Sequence, residues 1–139
     1  MRRSVWLYPV ANVLHVLGVI TFFAVVAAMD VKAVRGSSTA AVRAFIIRVR
    51  PVAITLLVVQ SMTGIMLFLP EASHIAHNAA FQAKLATILL ALLNVVALEA
   101  ALARTLPVAA PSAAVRLAAV TSLALWLAVA ALGRLIAYF

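Results

Sequence analysis

Apolar side chains run along the chain in four long blocks, and the polar positions gather between the blocks or along single faces within them. The blocks cover about residues 6–29, 51–70, 80–103 and 113–137. Each is at least about the 20 residues that cross a hydrocarbon layer as a helix. Trp6 and Tyr8 open the first block as interfacial aromatics, and Arg134, Tyr138 and Phe139 close the last. After the first block, Gly36-Ser37-Ser38-Thr39 reads as a turn with an N-cap. Beyond it Val42, Phe45, Ile46 and Val49 recur at i, i+3, i+4, i+7, an amphipathic helical spacing. Residues 38–50 are therefore expected as a short interfacial helix feeding the second span. Pro51 stands in the first turn of that span, where proline is tolerated, and Pro70 ends it. Pro107 and Pro111 mark a short loop over 104–112. The expected fold is all-α: a single membrane domain over 1–139, a four-helix bundle with a short interfacial helix between helices 1 and 2.

Composition strengthens this. Of the 139 residues, 68% are hydrophobic and 10% charged, against roughly half and about a quarter in soluble domains. A soluble domain and a disordered chain are excluded. With no Cys, so are a disulfide scaffold, an iron–sulfur cluster and a Cys-ligated zinc site within this chain. The net charge of +8 would suggest nucleic acid in a soluble protein. Here the basic residues sit at helix ends and in one connecting segment, so topology and anionic lipid head groups explain them instead. Met1-Arg2-Arg3 precedes an apolar run over 5–29, too long for a signal peptide, and is read as the start of a retained first helix.

Four spans put Lys32, Arg35, Arg43, Arg48, Arg50, Arg104 and Arg116 on one side, and Arg2, Arg3, Lys84 and Arg134 on the other. The positive-inside rule places the larger set in the cytoplasm. Both termini then face outward, into the periplasm if the host is a bacterial inner membrane.

The few polar residues inside the spans carry whatever chemistry there is. Tyr8, Asn12 and His15 share one face of helix 1, with Gly18 a turn further, where a backbone or a flat ligand could approach. His15 lies about 13 Å into its helix. Gln60, Ser61, Thr63 and Gly64 cluster on helix 2 at matched depth. Lys84, Thr87, Ala91 and Asn94 share a face of helix 3, and Thr121, Ser122 and Trp126 stand on helix 4. One polar seam or cavity in the outer half is expected. His15 either bonds across the bundle to Gln60 or Ser61, or contacts a ligand. Lys84 either snorkels to the interface or meets an anionic group. Gly18 and Thr63-Gly64 also read as close-packing positions. Glu99 and Asp30 are expected to pair with Arg104 and with an arginine of 43–50, respectively. His74-x-x-His77 has ligand-like spacing but reads equally as two solvated loop histidines.

No phosphate loop, HExxH or nucleophile elbow is present. The three carboxylates are spread over both ends, so no paired acid/base site forms. No catalytic residue is assigned, and an enzyme is not the favoured reading.

Tyr8-Pro9-x-x-x-x-Leu14-His15-x-x-Gly18 resembles the first helix of an uncharacterised family of small four-helix bacterial membrane proteins. The likeness continues through Met29-Asp30-Val31-Lys32, Pro51, Thr63-Gly64-x-x-Leu67-Phe68 and Asn78-x-x-Phe81-x-x-Lys84 to Asn94, about residues 8–94. More distantly, the plan is similar to the membrane-bound haem-containing protoporphyrinogen oxidase and to the copper-resistance D-type membrane domain. The oxidase resemblance implies haem b, with His15 and Lys84 at its functionally essential His and Lys positions. Asn94 stands where that family has a further His, and its fourth-helix Asn-Glu-x-Pro motif is absent. The expected cofactor site comprises His15, Gly18, Lys84, Asn94, Gln60 and Asn12, with His15 on the haem iron and Lys84 at a propionate. The first functional expectation is a haem-associated redox or electron-transfer protein. The alternatives are a non-catalytic accessory subunit of a membrane complex, with other membrane subunits or further copies of the chain as partners beside membrane lipids, and a small-molecule or metal permease-like protein.

Overall fold

A computed structural model describes residues 6–136. Arg2, Arg3, Tyr138 and Phe139 lie outside the described residues, as do the side chains of Leu7, Glu71 and His74. The chain forms α1 (Leu7–Arg35), α2 (Thr39–Phe68), a 3-10 turn (Leu69–Glu71), the short α3 (Ala72–Ile75), α4 (Ala79–Arg104) and α5 (Ala113–Leu135). The four long helices are each long and apolar enough to cross a membrane. The fold is an all-α four-helix bundle, with no strand among the described residues.

The segment expected as a separate interfacial helix is helical, but it is continuous with the second span. α2 runs for 30 residues straight through Pro51. Proline removes one backbone bond, to the carbonyl four residues earlier. That residue, Ile47, is 60% exposed, so its carbonyl can find another donor. At about 45 Å, α2 exceeds the roughly 30 Å hydrocarbon core, and its arginine-bearing turns reach the head-group zone.

The turns at this arginine-rich end are tied together. Four amide groups at a helix start lack intrahelical partners. In α2 three of them are met: Thr39 N–H donates to Ala109 O at 2.8 Å, Ala40 N–H to Pro107 O at 2.9 Å, and Ala41 N–H to Ser38 Oγ, while Val42 N–H opens the helical ladder on Ser38 O. Loop 105–112 thereby caps α2. Asn78 and Ser112 cap α4 and α5 in the ordinary side-chain manner.

The α1–α2 and α4–α5 pairs pack chiefly through α1 against α5. The main core sits at the arginine-rich end, around Ala33, Val42, Ile46, Leu98, Leu102, Val115 and Ala119. A second cluster lies mid-bundle, where Phe22 meets Trp126 edge-on with centroids 4.7 Å apart. Beyond it none of the described helical side chains is buried over 8–21, 47–68, 79–90 or 127–135. α2 and α4 meet at Arg50–Glu99 near one end and at the stacked rings of Phe68 and Phe81 at the other.

Candidate functional site

His15 is the centre of the polar seam. Gln60, three quarters of the way along α2, reaches across to α1 and donates through Nε2 to the His15 carbonyl at 2.9 Å. That contact fixes the amide, since only an N–H can face a carbonyl oxygen. The same nitrogen lies 2.9 Å from His15 Nδ1. Thr63 Oγ1 lies 2.8 Å from Nδ1 and itself donates to Val59 O or Gln60 O. Nδ1 thus accepts from Gln60 in one ring tautomer and donates to Thr63 in the other. No partner meets Nε2 among the described residues, and the atom is not buried.

Gly18 does not make room for a ring. A Cβ there would strike Gln60 Oε1, so the glycine accommodates the amide that braces His15. Of the two bonding partners expected for His15, Gln60 is found. Ser61 instead points away, exposed, and bonds back to Leu57 O.

Lys84 stands on α4 and lies across Gly133 of α5; a Cβ on that glycine would sit 3.1 Å from Nζ. Gly133 is seven residues after Trp126 on α5, and His15 is seven before Phe22 on the antiparallel α1. The Phe22–Trp126 contact therefore puts His15 and Gly133 at one level. Lys84 is within electrostatic reach of His15 and has no ion-pair partner among the described residues.

The other expected members are elsewhere. Asn94 donates to Ala118 O at 2.8 Å and fastens α4 to α5 beside the main core. Asn12 is exposed, with no side-chain bond among the described residues. Both carboxylate pairings differ from expectation. Glu99 pairs with Arg50, across the bundle, rather than with Arg104 on its own helix. Asp30 pairs with no arginine among the described residues. It faces α5, is 2% exposed, and is bonded by Ser122, while Oδ2 has no partner. The α-helical period explains this: Asp30, Ala33 and Val26 fall on the face of α1 that meets α5. His77 is exposed, and no group of three His, Cys, Asp or Glu side chains forms among the described residues.

Comparison with protein-family models, curated proteins and solved structures finds no match. The site is therefore read from its own geometry.

In the tautomer with Nδ1–H donating to Thr63 Oγ1, Nε2 carries the lone pair that a haem iron would take, while the space beside Gly18 holds Gln60. Thr63 and Gly133 were not assigned to the site by sequence. Thr63 could have been, since it lies one turn from Gln60 on the same face.

The network has a modest expected energy. Thr63→Val keeps shape and removes the hydroxyl, and interhelical bonds of this kind in membranes average about 0.6 kcal/mol, reaching about 1.7. Thermal unfolding in detergent should show a small drop for Thr63→Val and none for Ser61→Ala. Equal midpoints for both variants would show that Thr63 does not brace the ring.

Proposed function

We propose that the chain is a non-enzymatic membrane protein that binds a lipid-soluble molecule through an anionic oxygen-bearing head group. One observation carries this reading: the His15 imidazole is held at Nδ1 by two side chains of α2 while Nε2 is left without a partner among the described residues, and acceptance at Nδ1 from Gln60 gives Nε2 the proton. An ionisable group inside a span is costly and is read first as functional. Lys84 adds a second donor, with a charge unanswered by any described residue. Two donors and no acceptor select an acceptor ligand, and the ammonium favours a carboxylate. By the positive-inside rule, the arginine-rich end faces the cytoplasm and the His15–Lys84 half faces outward; for a bacterial inner membrane that is the periplasmic half.

Haem b shares part of this description. A propionate would suit Lys84, and a redox role stands or falls with an absorbance spectrum. The accessory-subunit reading is favoured by exposed Ala24, Ala28 and Ala124, small residues that permit close helix approach.

The test is a titration of the full chain, labelled with 15N-histidine in an uncharged detergent, with myristate. A saturable shift of the His15 Nε2 signal is expected, absent in Lys84→Met and much weaker with myristyl alcohol. A shift that never saturates, or one unchanged in Lys84→Met, overturns the proposal. A Soret band in haem-supplemented preparations that disappears in His15→Ala would overturn it in favour of haem. Recovery only as part of a larger complex would favour the accessory subunit.

A further inference from the structure

At the opposite end of the bundle, α2 and α4 flank a cleft of about 80 Å³, lined by Arg43, Ile46, Ile47, Arg50, Glu99 and Leu102. Arg43 and Arg50 are seven residues apart and so share a face of α2. Between them Ile46 and Leu102, 2% and 1% exposed, form an apolar floor, and Ile47 is an exposed apolar wall.

The charges in the cleft do not cancel. Glu99 is engaged by Arg50. Arg43 is exposed and has no hydrogen-bond or ion-pair partner among the described residues. The other carboxylate at this end, Asp30, is enclosed between α1 and α5 and faces away from the cleft. A guanidinium fork is therefore available beside an already neutralised pair.

The depth is informative. Arg50 lies 18 residues before the end of α2 at Phe68, about 27 Å at 1.5 Å per residue. Arg43 lies a further ~10 Å out. The cleft thus spans the zone between a hydrocarbon core of about 30 Å and the outer edge of the head groups. Guanidinium binds phosphate oxygens two at a time, with planar geometry that ammonium lacks.

We infer that this cleft is a phosphate site, held by Arg43 with Arg50 alongside, whose occupant is the head group of an anionic phospholipid. Ile47 then meets the first carbons of an acyl chain. Free phosphate offers the same oxygens without that apolar contact.

The experiment uses the full chain in an uncharged detergent, with retained lipid measured by native mass spectrometry. Phosphatidylglycerol, phosphatidylcholine and inorganic phosphate are added separately. One phosphatidylglycerol per chain should be retained in preference to phosphatidylcholine. Arg43→Gln should weaken retention about tenfold, the loss of one charge-assisted hydrogen-bonded contact. Arg43→Lys, which keeps the charge but not the fork, should recover only part of it. Arg48→Gln, which removes an exposed arginine that does not line the cleft, should leave retention unchanged. Displacement of the lipid by millimolar inorganic phosphate supports a phosphate site, and retention of phosphate with no lipid preference assigns that site to the free ion. Equal losses in Arg43→Gln and Arg48→Gln, or no preference for the anionic lipid and no phosphate binding, overturn the proposal.

Discussion

Gly36→Ala lowers the thermal midpoint of the purified protein by about 3 to 10 °C, corresponding to overpacking by about 1 to 3 kcal/mol. Gly36 is buried in the turn between α1 and α2. A Cβ there would lie 2.8 Å from the Lys32 carbonyl oxygen, closer still to Val42 Cγ2, and 3.7 Å from Pro111. None of these can yield easily. Lys32 O belongs to the last turn of α1, and Val42 is fully enclosed in the main core. The backbone conformation itself is ordinary, with φ −63° and ψ 142°, so the strain comes from crowding alone. Gly133→Ala is the control. Its Cβ meets only the end of the Lys84 side chain, which can swing aside, and helix propensity favours alanine there by up to about 1 kcal/mol. Differential scanning fluorimetry in one detergent compares the two. Equal midpoints for Gly36→Ala and the parent chain would mean that the turn has slack.

Asp30→Asn raises the midpoint. The carboxylate is almost wholly enclosed, Ser122 meets one part of it, and Oδ2 meets nothing. A buried polar oxygen left unpartnered costs about 1 to 3 kcal/mol, and more when it carries charge. The amide keeps the volume and the acceptor for Ser122 and removes the charge. A midpoint that falls instead would show that the carboxylate has a stabilising partner. Because Arg50–Glu99 is about two-fifths exposed at both side chains, solvent screens it, and Glu99→Gln should move the midpoint far less than Asp30→Asn does.

Much of the architecture was legible in the chain. Four apolar blocks, bounded by prolines and capping residues, specify four helices of spanning length, and the spacing of Val42 and Ile46 marks the turns of α2 that face the core. Pro51 misled as a boundary because its cost depends on where the orphaned carbonyl lies, and period alone does not show that. For the candidate site, sequence singled out His15, Gln60 and Lys84, and the structure places them in the same half of the bundle. Asn94 shared the face of Lys84, yet ten residues of helix carry it about 15 Å deeper, to the α4–α5 contact. Which carboxylate meets which arginine depended on α2 and α4 approaching at one end. That is a tertiary fact with no local signal.

The loosely packed half of the bundle has a consequence for how tightly a ligand must be held. No helical side chain is enclosed around the level of His15, about 13 Å below the start of its helix, so acyl chains rather than bulk water bathe the ring. A molecule reaching it is drawn from the membrane phase. Partitioning alone concentrates a single fourteen-carbon chain with a constant of about 10⁴ M⁻¹. The affinity seen from water is the product of that partitioning and the local step. For the ligand proposed above, two hydrogen bonds that would be negligible in a soluble pocket would then suffice for measurable occupancy, with selectivity in the head group and most of the affinity in the tail.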